Sequence, residues 1–257
     1  MAEIQLNELL AGRATRIKNR EYFPTAAYVE PFLERVQKLT SELRIQVKIA
    51  NQISLTKDGN INTEDIVYNR VNIEAILPDE YAFEGHKRVL GFVYGLDTRK
   101  PIVKQYVGAI RSCCLNLTVF NPEALCVQEL EPESSIDYRF FNTCMSISDN
   151  IKEKLNKLFE LEYTRKQCYT ELGQWIDRCI NSKYNSGFGL VKIAESTPVE
   201  AYKNLFYNEK SDYYTEENII SGFDIYNAFT DIICNGKSND LMNRFEKCCL
   251  VSKIMNI

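Results

Sequence analysis

A chain of 257 residues with 45% hydrophobic and 26% charged content has the ordinary balance of a globular protein, long enough for one large domain or two small ones. Its 31 Lys and Arg stand against 35 Asp and Glu, and the net charge of −4 argues against bulk adsorption to nucleic acid or to an anionic membrane, while leaving room for one basic patch. One histidine excludes any site that needs two imidazoles, and nine cysteines without a single CxxC fit neither a zinc site nor a disulfide framework.

Residues 1–22 read as a short helix (Ile4, Leu6, Leu9, Leu10) followed by a basic connector holding Arg13, Arg16, Lys18 and Arg20. Val29, Phe32, Leu33, Val36 and Leu39 recur at helical spacing, so a helix is expected through Thr25–Leu43, regular from Val29 or Glu30 because Pro31 suits only a first turn. The period then changes to two. Ile45, Val47 and Ile49 alternate with Arg44, Gln46 and Lys48, which predicts a half-buried strand. Asp58-Gly59 supplies a hairpin turn, and Ile61 to Leu77 reads as the return arm. Strands follow over Arg88–Leu96, Ile102–Ile110, Cys114–Phe120 and Leu125–Leu130, with a turn at 96–101. Successive strands without intervening helices predict an antiparallel or mixed sheet.

From Ser148 the period becomes helical. Ile151, Leu155, Leu158 and Phe159, then Leu172, Trp175, Ile176, Cys179 and Ile180, make one long helix or two in series. Residues 182–189 read as a loop. Thr197 reads as an N-cap with Pro198 at the first helical position and Glu200 at the third. Two more helices are expected at Phe223–Cys234 and Leu241–Ile254. The predicted fold class is therefore α+β: a β-rich part over 1–146 and a helical part over 147–257, able to share one core.

No chemistry of bond-making stands out. His86, followed by Lys87 and Arg88, reads as a solvated residue at a strand edge, and without a second histidine the Ser-His and Cys-His arrangements hang on it alone. Asp79-Glu80 after Pro78 would suit a magnesium-dependent nuclease, but no Glu-x-Lys follows on a matching strand. Gly187-Phe188-Gly189 is half of a glycine loop, and no GxxxxGK[ST] exists. The expectation is a non-enzyme with no cofactor and no metal.

The strongest feature is a basic, aromatic-interleaved stretch. Lys87, Arg88, Arg99, Lys100, Lys104 and Arg111 fall close together, with Phe92, Tyr94 and Tyr106 between them, and Thr98 to Pro122 holds no carboxylate. Cations that track phosphates and rings that stack bases are how single strands are held, so these nine residues form the predicted nucleic-acid-binding set. The bland alternative puts the rings in the core and the charges at strand ends.

Gly91 to Pro101 running into Cys113-Cys114-Leu115-Asn116-Leu117, with Phe223 to Ile233, resembles a phage- and plasmid-type family of unknown function found on prophages and mobile elements. The resemblance covers about 50 residues and rests on packing patterns; where the family has a Ser-x-Asp-Gly-like turn, this chain has Tyr94-Gly95-Leu96-Asp97. It implies a mobile-element origin and a cytoplasmic role in a bacterial host, and carries over no functional residue. The absence of an apolar signal segment and of any run of about 18 apolar residues points the same way, to a cytoplasmic protein without a membrane helix. Two partner classes stay open: single-stranded nucleic acid bound through the basic stretch, or a host or phage protein bound by an interaction module. Several aromatics would also suit a homo-oligomer.

Overall fold

The structure, a computed structural model, describes residues 2–3, 15–17, 20–22, 25–49, 68–78, 85–96, 101–111, 117–118, 125–129, 139–186, 189–211, 219–235 and 243–256. In chain order the strands of the first half are β1 (Ala2–Glu3), β2 (Thr15–Ile17), β3 (Arg20–Tyr22), β4 (Leu43–Ile49), β5 (Tyr68–Ile76), β6 (His86–Leu96), β7 (Pro101–Arg111), β8 (Leu117–Thr118) and β9 (Leu125–Glu129), with helix α1 (Thr25–Val36) ahead of β4. The second half is helical: α2 (Arg139–Glu160), α3 (Arg165–Asn181), α4 (Thr197–Phe206), α5 (Gly222–Asn235) and α6 (Arg244–Met255). Short strands β10 (Glu162–Tyr163), β11 (Tyr184–Ser186), β12 (Gly189–Val191) and β13 (Ile220–Ser221) connect them. The class is α+β with a β-rich N-terminal half, as the change of hydrophobic period predicts.

The main sheet is antiparallel, ordered β1-β4-β5-β6-β7, with β8 and β9 both pairing on the outer side of β7. Its centre is the β6–β7 hairpin, in register from His86 opposite Arg111 to Leu96 opposite Pro101. Residues paired across an antiparallel ladder point to the same face, and neighbours along a strand point to opposite faces. Phe92 and Gln105 therefore share one face, and Gly91 and Tyr106 the other. Helix α1 covers the first face, where Phe32 stacks on Phe92 at 4.9 Å and Tyr28 on Tyr94 at 5.0 Å. Helix α6 covers the second, where Phe245 lies 4.9 Å from Tyr106. The sheet is thus clothed on both sides, and the β-rich and helical halves meet in one cluster of buried apolar residues.

Some boundaries differ from the sequence expectation. Helix α1 starts at Thr25 and carries Pro31 in its interior, because Tyr28, Val29, Phe32 and Leu33, buried on both sides of the proline, anchor each half to the sheet. Helix α2 begins at Arg139, nine residues before Ser148, so residue 146 falls inside a helix. Residues 182–189, read as a loop, contain half of a hairpin: Tyr184 pairs with Val191 and Ser186 with Gly189. Thr197 is the first residue of α4 rather than its cap; Ser196 holds the cap position without a side-chain capping bond, so the Pro in the first turn marks the start alone. The expected helix at residues 4–10, the Asp58-Gly59 turn and the turn at 97–100 lie outside the described residues.

Candidate functional site

The structure spreads the nine predicted nucleic-acid-binding residues over different environments. Phe92, Tyr94 and Tyr106 are core residues, each 0–1% exposed, with ring faces against Phe32, Tyr28 and Phe245. A ring enclosed in this way has no face left for a base. Lys104 is 1% exposed and its ammonium is bonded to Glu246 and to Asn243 Oδ1, the latter at 3.1 Å. Lys87 is half-buried and pairs with Glu42 at 3.1 Å, and Arg88 is half-buried beside it. Arg99 and Lys100 lie outside the described residues, as does the side chain of Arg111. His86, expected in solvent, is 2% exposed and packed edge-on against Phe223 at 5.0 Å and Phe159 at 6.1 Å. The cause is the apolar wall that α2 and α5 bring to the start of β6.

What the sheet holds instead is a buried polar row under α6. Arg44 and Gln46 of β4 lie opposite Glu74 and Asn72 of β5; those lie opposite Gly91 and Val93 of β6, and those opposite Tyr106 and Lys104 of β7. All eight share one face. Tyr106 reaches from β7 across β6 to β5, where its hydroxyl meets Asn72 Oδ1 and Glu74 Oε1, both at 3.0 Å. Gly91 is what permits this: a Cβ there would stand 2.0 Å from the Tyr106 ring. Arg244 enters from α6, donating to Glu74 and, at 3.1 Å, to Gln46 Oε1. Asn72 Nδ2 donates to Glu74 Oε1 at 3.3 Å, and Arg44 approaches the second Glu74 oxygen at 3.6 Å. Burial alone would push the Arg244 guanidinium down, but the Glu74 carboxylate beside it outweighs this and holds it above its usual range. Burial, then the Glu74 charge, push the Tyr106 phenol well up, so it stays a neutral donor. Charges Lys104 with Glu246, and Arg244 with Glu74, cancel in pairs. This row joins α6 to the sheet and is closed to substrate by that helix. Among the described residues, no group of three or more His, Cys, Asp or Glu is arranged to hold a metal ion.

A second, open arrangement lies on the helical half, between α3 and α4. Thr164 caps α3 in a full capping box: its hydroxyl accepts from the Gln167 amide at 3.2 Å, and the Gln167 side chain accepts from the Thr164 amide at 2.8 Å. That fixes Arg165 in the first turn, with its guanidinium 4.7 Å from the Tyr207 ring and 5.8 Å from the Phe206 ring. The Tyr207 and then the Tyr202 hydroxyls beside it hold the Arg165 charge more firmly still. On α4, Tyr202 and Phe206 are four residues apart on one buried face, their rings 4.9 Å apart. Tyr169 of α3 stands 6.1 Å from Tyr202, and Tyr207 stands 6.0 Å from it. Tyr169 is 68% exposed and Tyr207 63%. Together with Leu172, Val199, Lys203 and Lys210 they line a groove of about 850 Å³, within the ~300–1,000 Å³ range of ligand sites.

None of these groove residues stood out in the sequence as functional; Leu172 entered only as a member of a helical apolar stripe. A signal was present in Tyr202-x-x-x-Phe206-Tyr207, where the i, i+4 pair packs inward and the next ring must point away, but only the antiparallel approach of α3 puts Tyr169 and Arg165 beside it. Comparison of the chain with protein-family models, with curated proteins and with solved structures gives no match. No helix among the described residues is long and apolar enough to cross a membrane.

Proposed function

We propose that this chain is a non-enzymatic binding protein that engages another protein through the tyrosine-lined groove between α3 and α4. One observation carries the reading: Tyr169 and Tyr207 present most of their surface to solvent at the rim of an 850 Å³ groove, beside Arg165. Tyr and Arg are the residue types that dominate interface hot spots, because each offers a large, stiff contact area at small entropic cost. The resemblance to the prophage and mobile-element family adds the expectation of an accessory protein in a bacterial cytoplasm. Cys168, Cys179, Cys234, Cys248 and Cys249, all buried free thiols, fit a reducing compartment.

The nucleic-acid reading is the runner-up. It rests on half-buried Lys87 and Arg88 at the start of β6, with Arg99, Lys100 and Arg111 following within 25 residues, and it lacks the stacking rings that would give it affinity. A photo-crosslinking residue placed at Tyr207 in the protein's own cells separates the two, with one at Lys38 as a control on the exposed turn after α1. The groove reading expects a discrete adduct from position 207 that protease removes and nuclease does not. A nuclease-sensitive adduct, or adducts equal at positions 207 and 38, overturns it. Salt-dependent binding of a labelled single strand, abolished by reversing Arg99 and Lys100 to Glu, would restore the runner-up; Lys104, buried against Glu246, is left unchanged.

A further inference from the structure

The groove between α3 and α4 carries a charge bias as well as rings. Among the described residues, its lining holds Lys203 and Lys210 against the carboxylate of Glu209, and Arg165 adds a third cation beside Tyr207. The N-terminal end of α3 meets the C-terminal end of α4 here, which brings Arg165 beside Tyr207. Lys203 lies in the last turn of α4, and Lys210 follows three residues after Tyr207. Beside the cations the lining holds Leu172, Val199 and the rings of Tyr169, Tyr202 and Tyr207, with the amides of Asn204 and Asn208 as its neutral polar groups.

Resting on the reading of this groove as a protein-docking surface, we propose that its occupant is an acidic, extended peptide segment of a partner protein, with Asp or Glu facing Lys203 and Lys210 and apolar residues against the tyrosine rings. Three considerations select this chemistry. A polyphosphate strand would need a longer run of cations than three beside a carboxylate, in a chain of net charge −4. A small molecule is held by burial of most of its surface, whereas Tyr169 and Tyr207 offer their area outward at the rim. A basic peptide would meet Arg165, Lys203 and Lys210 as like charges, and an acidic one meets them as partners. Tyrosine rings with rotatable amine donors between them suit an extended backbone that alternates apolar and anionic contacts.

The test is selection from a displayed library of random 12-residue peptides, run on the full chain, on the Lys203→Glu/Lys210→Glu variant and on the Tyr169→Ala/Tyr207→Ala variant. All four positions are at a helix surface or in a turn, and circular dichroism and the unfolding midpoint verify that each variant folds as the parent does. Peptides recovered on the parent should be enriched in Asp and Glu. Those recovered on the charge-reversed variant should be enriched in Lys and Arg. A parent-selected peptide should bind the alanine variant at least about tenfold more weakly, the loss expected when interface aromatics are truncated. Equal charge composition in the two selections, or no enrichment on the parent, overturns the acidic-peptide assignment. If the crosslink from position 207 to protein stands while the charge preference fails, the docking reading survives without this occupant; if both fail, both fall.

Discussion

Gly91 and Tyr106 form a pair in which each residue explains the other. The tyrosine spans a whole strand to deliver one proton to Asn72 and Glu74, and the missing Cβ is the space it spans through. Gly91→Ala should therefore overpack the sheet and cost roughly 1–3 kcal/mol, read from urea unfolding, although the strand propensity of alanine at an ordinary position would not predict a loss of that size. Tyr106→Phe keeps the ring and removes the donor. It leaves a buried carboxylate one hydrogen bond short and should cost about 1–3 kcal/mol on the same measurement, with far-UV circular dichroism unchanged. The sequence made Tyr106 look like a stacking platform because an aromatic between lysines on a strand has that composition. Side-chain direction was not readable: period-2 alternation assigns residues to two faces but does not say that helices cover both, and here α1 and α6 do.

At the scale of elements, α6 is held by opposite charges set two residues apart, Arg244 on Glu74 and Glu246 on Lys104. Single replacement of Lys104 by Met should be strongly destabilising, by about 3–5 kcal/mol, because Glu246 would remain buried without its ammonium. The double change Lys104→Met/Glu246→Leu should recover most of that loss, and a double-mutant cycle from denaturant midpoints measures the difference. Helix α3 offers a milder case: Thr164→Ala removes a solvent-exposed capping box and should cost about 1 kcal/mol, visible as a lower thermal midpoint. Helix existence and order were legible in the apolar spacing of Ile151, Leu155 and Leu158 and of Trp175 and Cys179, all of which are buried. Ile180, which the same stripe included, is 53% exposed, since periodicity counts a residue on the stripe whether or not a neighbour arrives to cover it. The polar partners of α6 were not legible at all. They are charged residues at ordinary frequency, and only the tertiary register brings positions 74 and 244 together.

At the scale of the whole molecule, the thiols of Cys168, Cys179, Cys248 and Cys249 are kept dry by burial. Burial pushes Cys168 up to about 12 and Cys179 up to about 11; contact with Cys234, and then burial, push Cys248 up, and burial followed by the Glu246 charge does the same for Cys249. A folded pKa above the unfolded one means the native state retains protons that the unfolded chain gives away. Stability from these groups is fully present below the ordinary thiol range, near ~8.5, and declines as pH rises from there toward about 11–12. Thermal midpoints taken from pH 7 to pH 11 should be flat at first and then fall, and Cys168→Ala should flatten the fall by about one proton's worth of slope. A midpoint rising with alkali would contradict the burial of these thiols. The lock between sheet and α6 also has a consequence in time. Its partners lie 142 and 170 residues apart along the chain. A ribosome adding about 5–20 residues per second delivers Arg244 on the order of ten seconds after β7 has emerged. For that interval the sheet displays Glu74, Asn72 and Lys104 as an open polar face, which discourages a half-made sheet from sticking to its neighbours in the polysome until its own last helix arrives to close it.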